Sequence, residues 1–210
     1  MLDLIADIRR DYKLKSLSEE DVQSDAIAQF EVWWKEAIAS DISEVNAMTL
    51  ATASTDGLPS ARIVLLKGFN EKGFYFYTNY KSFKARQLEE NPRACLVFFW
   101  KELERQVRIT GLITKSSAAE SDDYFNTRPE GSRIGAIASP QSEVIPNRAW
   151  LEDRVNNAMK NEIKRPEHWG GYIVRPVTIE FWQGRSNRLH DRLQYTLEED
   201  GMWKIERLAP

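Results

Sequence analysis

From Ala47 onward the chain breaks into short β-type runs divided by tight turn signals, and connections so short can join only antiparallel neighbours. Met48 to Ala53 is followed by Thr55-Asp56-Gly57, Ala61 to Lys67 by Asn70-Glu71-Lys72-Gly73, and that turn by Phe74 to Thr78. A helix is expected at Ser82 to Glu90, then strands at Ala94 to Trp100 and Arg105 to Lys115. Helical patterns cover Ala118 to Thr127, Ser132 to Ala138 and Trp150 to Lys164. Strands near Tyr172 to Arg175, Thr178 to Trp182, Gln194 to Leu197 and Trp203 to Arg207 close the pattern. Sequential strands with little βαβ alternation predict a mainly β chain with flanking helices, an antiparallel barrel and not a doubly wound sheet.

Two helical patterns precede this region. Leu4, Ile5 and Ile8 recur at helical spacing up to Tyr12, and the polar stretch Lys13 to Ser24 reads as a flexible connector. A helix over Asp25 to Ala39 is expected to present Ile27, Phe30, Trp34 and Ile38 on one face. Residues 1–45 then form an N-terminal helical segment and residues 46–210 the barrel, in one structural domain. With 210 residues and 42% hydrophobic content, the chain can bury a sizeable core.

Charge narrows the partners. A net charge of -3, with both signs interspersed, gives no general attraction for a polyanion, so nucleic acid is not expected. Groups that bind phosphate must form a local basic pocket, which suits a small ligand. Cys95 is the single cysteine and His168 and His190 the only histidines, so neither a disulfide nor a metal centre is expected. The first residues carry acids and lack an apolar h-region, and no window has the apolar length to span a bilayer, so the expected location is the cytoplasm, away from membranes.

Three clusters carry candidate chemistry. There is no G-x-G-x-x-G after a strand, no P-loop and no H-E-x-x-H, so a phosphorylated ligand must be neutralised by side chains. In Arg62-Ile-Val-Leu-Leu-Lys67 two cations bracket an apolar strand; they read either as cations snorkelling at the ends of a half-buried strand or as anion ligands. Alternation along an unbulged strand would set Arg62 and Lys67 on opposite faces, roughly 17 Å apart, to serve two anions. Tyr124 and Arg128 are four apart on one helix face, and Ser132 stands where the next helix begins; this is either a phosphate site or an ordinary helix end followed by a capped helix. Arg188, His190 and Arg192 alternate in a cation-dense loop, and an extended segment would aim all three the same way; solvated loop charge is the other reading.

Taken together, these stretches resemble the pyridoxine/pyridoxamine 5′-phosphate oxidase family. The resemblance rests on Arg62-Ile-Val-Leu-Leu-Lys67, Phe76-Tyr-Thr-Asn79, Leu103-Glu-Arg-Gln106-Val, Tyr124-Phe-x-x-Arg128-Pro, Trp169-Gly-Gly-Tyr, Ile179-Glu-Phe-Trp-Gln-Gly184, Arg188-Leu-His-Asp-Arg192 and Trp203-Lys-Ile-x-Arg-Leu-Ala-Pro210. Any one hexamer is weak evidence, whereas eight in order, from about Arg9 to the final residue, are specific.

The resemblance implies a split β-barrel homodimer with two FMN molecules at the subunit interface, and an oxidase that turns pyridoxamine and pyridoxine 5′-phosphates into pyridoxal 5′-phosphate with molecular oxygen. It implies that Arg62 and Lys84 hold the FMN phosphate, and that Tyr77, Thr78, Gln106, Gln141, Ser142, Trp182 and Arg192 complete the flavin site. Lys67, adjoining cofactor and substrate, joins Tyr124, Arg128 and Ser132 on the substrate phosphate, while Arg9 and Tyr12 close over the substrate. Arg188 and His190 become the catalytic pair at the pyridine ring, the arginine for orientation and the histidine for proton transfer. Two positions depart from the family: Phe83 stands where a basic residue is usual beside Lys84, and Val45 where a proline is frequent. Two other functions fit part of the pattern. A flavin reductase on the same fold needs the FMN-phosphate groups only, and a non-catalytic carrier of pyridoxal phosphate or FMN needs no chemistry.

Overall fold

The computed structural model describes residues 11–210, so the helix expected around Leu4, Ile5 and Ile8, and Arg9 with it, lies outside the described residues. In chain order the elements are α1 (Ala26–Ile38), β1 (Ala47–Ala53), β2 (Pro59–Leu65), β3 (Gly68–Asn70), β4 (Gly73–Asn79), α2 (Phe83–Glu90) and β5 (Arg93–Trp100). They continue as β6 (Arg105–Lys115), α3 (Ala118–Thr127), α4 (Glu130–Ala138), α5 (Arg148–Ala158), β7 (Trp169–Gln183), β8 (Asp191–Leu197) and β9 (Trp203–Arg207). The strands are hydrogen-bonded in the order β2-β1-β5-β6-β7-β4-β3, with β8 on β7 and β9 on β8. The chain divides into two compact units, one of residues 11–48, Leu96–Thr110 and Pro176–Pro210, the other of Thr49–Cys95 and Gly111–Arg175.

In the first unit Asp25 caps α1, its carboxylate accepting the Ala28 N–H at 2.8 Å. The buried face of the helix is Ala26, Phe30, Trp33 and Ala37, while Ile38 is 58% exposed. The face is therefore turned toward Trp33 and away from Ile38, while Phe30 is buried as expected and half-buried Trp34 meets Phe30, Phe98 and Trp100. Trp33 accounts for the turn, because its ring meets Phe181 edge-on at 5.2 Å and lies 4.2 Å beneath the Arg105 guanidinium. That guanidinium is buried, and Glu36 (2.7 Å) and Gln183 (2.9 Å) accept its hydrogens.

The second unit is built around β4, whose run Gly-Phe-Tyr-Phe-Tyr-Thr-Asn is almost wholly buried between β3 and β7. Phe74 to Asn79 pairs antiparallel with Val174 to Trp169. The turn ahead of β4 is closed by the Lys72 N–H donating to Asn70 Oδ1 at 2.9 Å, and Gly73 takes φ +130° with no room for a Cβ against the Val174 carbonyl. The strand β3 was not anticipated: three residues are too few for a period to register in sequence.

One long strand, β7, replaces the two expected on either side of Pro176. Its Trp169–Val174 half pairs with β4 and its Thr178–Gln183 half with β8, so on that edge the missing proline N–H falls in the gap between partners.

Candidate functional site

A cavity of about 690 Å³ opens in the second unit, and among the described residues no carboxylate lines it. Arg62 comes from edge strand β2, Lys84 from the first turn of α2, and Thr78 from the end of β4. Lys84 Nζ lies 2.9 Å from Gln141 Oε1, 3.1 Å from Thr78 Oγ1 and 3.3 Å from Ser82 Oγ, so its partners are neutral oxygens only. Burial, and then the neighbouring Arg62 charge, push its pKa down to about 8. The Arg62 guanidinium donates to Thr52 Oγ1 (2.6 Å) and the Leu50 carbonyl (3.2 Å), and burial lowers its pKa as well. Two desolvated cations without a counter-charge are costly unless an anion joins them.

The same cavity carries a second cationic group. Tyr77 and Tyr124 stack with centroids 3.9 Å apart and rings 22° from parallel, and Trp169 lies near-parallel to both at 5.7 and 6.2 Å. The Arg128 guanidinium rests 4.6 Å over Trp169, and Lys67 Nζ sits 6.0 Å from the Tyr124 ring. Arg128 Nη1 is buried with no hydrogen-bond partner among the described residues, a loss of about 1–3 kcal/mol that an acceptor entering the cavity would recover. Burial, followed by the Glu120 charge, pushes the Tyr77 phenol up to about 12, so it stays a neutral donor. Ser132 lines this part of the cavity from the first turn of α4.

Expected geometry needs two corrections here. Because β2 ends at Leu65, alternation along it does not extend to Lys67, and both cations line one cavity instead of serving separate faces. Arg128 is not on the helical face of Tyr124: it is the extended C-cap of α3, pushed out of the helix by Pro129, and α4 begins at Glu130, ahead of Ser132. The residues meet all the same, since both line the cavity.

In the first unit the His190 ring lies 4.6 Å from Trp182 and 6.1 Å from Tyr12, and Tyr12 meets Trp182 edge-on at 5.9 Å. The Arg185 N–H donates to His190 Nδ1 at 3.1 Å, which requires the neutral ring to carry its proton on Nε2. Burial, and then the charge of Arg188, lower the His190 pKa and favour that neutral form. Arg188, His190 and Arg192 do not form an extended run. Ser186–Arg188 is a turn in which Asn187 and Arg188 take φ of 58° and 61°, and β8 begins only at Asp191. Arg192 is instead tied to buried Glu180 at 2.8 Å and to the Ala209 carbonyl at 2.7 Å.

Of the remaining candidates, Gln106 is half-buried in β6 and Ser142 exposed, with φ 73°. Phe83, the first residue of α2, is 46% exposed and does not line the cavity. Trp169, which no local pattern singles out, also lines the cavity; its place beneath Arg128 follows from the β4–β7 register.

Comparison with known proteins bears on the same residues. Residues 34–159 match the family described as pyridoxamine 5′-phosphate oxidase, and residues 169–210 the pyridoxine 5′-phosphate oxidase C-terminal dimerisation region. The chain is 54% identical over 212 residues to the pyridoxine/pyridoxamine 5′-phosphate oxidase of Salinibacter ruber, covering 98% of this chain and 99% of that one. The crystal structure of PhzG from Burkholderia lata, in complex with tetrahydrophenazine-1-carboxylic acid, superposes with a TM-score of 0.88 at 29% identity, over 94% of this chain and 99% of that one. A pyridoxamine 5′-phosphate oxidase-related, FMN binding protein from Nostoc punctiforme gives 0.72 at 19% identity, over 88% and 99%, a likeness of fold alone. The fold class is the expected one, mainly antiparallel sheet with flanking helices, of split-barrel type.

Proposed function

Because the chain belongs to the pyridoxamine 5′-phosphate oxidase family, we propose that it oxidises pyridoxamine and pyridoxine 5′-phosphates to pyridoxal 5′-phosphate, with FMN as resident cofactor and molecular oxygen as acceptor. The observation that carries this reading is the carboxylate-free cavity with two cationic groups, Arg62 with Lys84 and Lys67 with Arg128, which suits two phosphate esters.

The residues present fit the cofactor. Arg62 and Lys84 hold the FMN phosphate, and their desolvated, unneutralised charge is what a phosphate dianion relieves. Thr78 and Gln141, already hydrogen-bonded to Lys84, orient the ammonium. Tyr77, Gln106, Ser142, Trp182 and Arg192 are proposed to complete the flavin site. When bound, FMN would supply two-electron chemistry at the substrate C4′ carbon: the hydride lost from C4′ and the proton lost from its hydroxyl or ammonium group would account for the hydrogen peroxide formed from oxygen, and water would hydrolyse the imine left by the amine substrate to the aldehyde and ammonia.

Lys67, Tyr124, Arg128 and Ser132 grip the substrate phosphate, with the orphaned Arg128 Nη1 as the donor that most needs it. Lys67 is also proposed to adjoin the cofactor. Arg188 stays charged and orients the pyridine ring, while His190, neutral with a proton on Nε2, donates or accepts a proton at that atom. Tyr12 stands against His190 and Trp182 and, with Arg9, closes over the substrate as part of an N-terminal lid ahead of the barrel domain.

The match to a dimerisation region supports a homodimer, and we place the enzyme in the cytoplasm with neither nucleic acid nor membrane as partner. No helix among the described residues is long and apolar enough to cross a membrane. Anaerobic addition of pyridoxamine 5′-phosphate to the purified, flavin-loaded protein tests the function. The visible flavin band bleaches if the chain is this oxidase, and an unchanged band contradicts the proposal.

A further inference from the structure

The Glu104 carboxylate is 3% exposed and forms no ion pair among the described residues. Its partners are two main-chain amides: Oε2 accepts the N–H of Lys13 at 2.8 Å and of Leu14 at 3.1 Å. A buried carboxylate needs such donors to replace its lost water, so the segment bearing these amides and the carboxylate hold each other in place.

The other end of Glu104 holds a second loop. Its carbonyl accepts the Gly184 N–H at 2.7 Å and the Gln183 side-chain amide at 3.2 Å. Its backbone sits at φ 53°, ψ 40°, a left-handed conformation unusual for a residue with a side chain, and this aims carbonyl and carboxylate at different partners. One residue therefore ties the segment carrying Tyr12 to the loop that leads into His190. Two further contacts agree: Ser186 Oγ donates to the Tyr12 carbonyl at 3.1 Å, and a Cβ on Gly184 would stand 2.8 Å from Tyr12 Cγ. The stretch from Lys13, read from sequence as a flexible connector, is pinned again at Leu17, whose N–H donates to Asp191 Oδ2 at 3.1 Å.

We propose that Glu104 is a positioning residue, a clasp that sets Tyr12 against His190 by gripping the backbone of the segment behind it. The grip takes main-chain N–H groups, so it is indifferent to the side chains of Lys13 and Leu14. The inference rests on the reading that Tyr12 and His190 meet the substrate.

Two measurements on the full-length holoenzyme test it. Tryptic cleavage after Lys13 and Lys15 reports the clasp directly: it quickens in Glu104→Ala and stays at the wild-type rate in Glu104→Gln, whose amide oxygen still accepts both N–H groups. In steady-state kinetics, Glu104→Ala raises KM for pyridoxamine 5′-phosphate about tenfold while kcat changes by less than about threefold. Glu104→Gln restores KM, and Glu104→Ala adds nothing in a Tyr12→Ala background. If Glu104→Ala does not fold, Ser186→Ala is read in the same way, with a smaller rise in KM that also vanishes in the Tyr12→Ala background. Unchanged cleavage in the alanine variant, a glutamine variant that behaves like alanine, or additive effects with Tyr12→Ala overturns the proposal. A wild-type protein that oxidises nothing overturns the functional reading alone, since the cleavage rates still judge the clasp.

Discussion

Lys84 Nζ and Gln141 Oε1 lie 2.9 Å apart in a cavity that no carboxylate among the described residues lines, so an ammonium pushed down to about pKa 8 has only neutral oxygens of those residues around it. The sign of the pH dependence follows. Unfolded, Lys84 titrates near 10.5; folded and ligand-free, near 8, so between these values the folded protein binds fewer protons and its stability from this group rises with pH. Below pH 8 the charged lysine receives the FMN phosphate without taking up a proton. Above it, each binding event takes one up, and FMN affinity falls by up to about tenfold per pH unit. Titrating flavin fluorescence between about pH 7 and 10 checks this, and Lys84→Met gives weaker binding with a flat profile over that range.

The orphaned Arg128 Nη1 predicts a substrate defect and not a cofactor defect. Arg128→Ala raises KM for pyridoxamine 5′-phosphate about 10- to 100-fold, from the loss of about 1.5–3 kcal/mol of charge-assisted hydrogen bonding, and leaves FMN affinity within about twofold. Arg128→Lys recovers only part, because an ammonium lacks the planar fork and stacks poorly on Trp169. Steady-state kinetics beside an FMN titration separate the two effects.

Phe83 puts an apolar, 46% exposed side chain next to Lys84 in the first turn of α2. Phe83→Arg tightens FMN binding about three- to tenfold, more at low salt than at high, as measured by equilibrium dialysis of the flavin.

Trp169 is 5% exposed and supports Arg128, Tyr77 and Tyr124 together. Trp169→Ala lowers stability by about 3–5 kcal/mol, seen in denaturant unfolding of the flavin-free protein. Trp169→Phe keeps most of it and raises KM through the poorer platform under the guanidinium.

Local pattern was enough to place some strands: β6 and β9 carry their own alternation, and their limits were readable from sequence. It failed where tertiary contacts decide. The face of α1 follows Trp33 because Arg105 and Phe181, remote in sequence, await it there. Pro176 read as a break because the sequence does not show that β7 changes partners at that point. At the cavity, the family motifs named several residues that line it, Arg62, Lys67, Tyr124, Arg128 and Ser132 among them, but not how they are arranged. Arg62 and Lys67 were separated by an alternation that stops at Leu65, and Glu104, an acid inside the Leu103 to Val107 stretch, carries no local sign that it will be buried.

The central claim is that two phosphate esters share one cationic cavity, each on its own pair of side chains. A crystal structure of the protein with FMN and pyridoxal 5′-phosphate both bound tests it directly. The FMN phosphate is expected within hydrogen-bonding distance of Arg62 and Lys84, and the vitamin ester on Lys67 and Arg128. Density placing either phosphate away from its pair would contradict it.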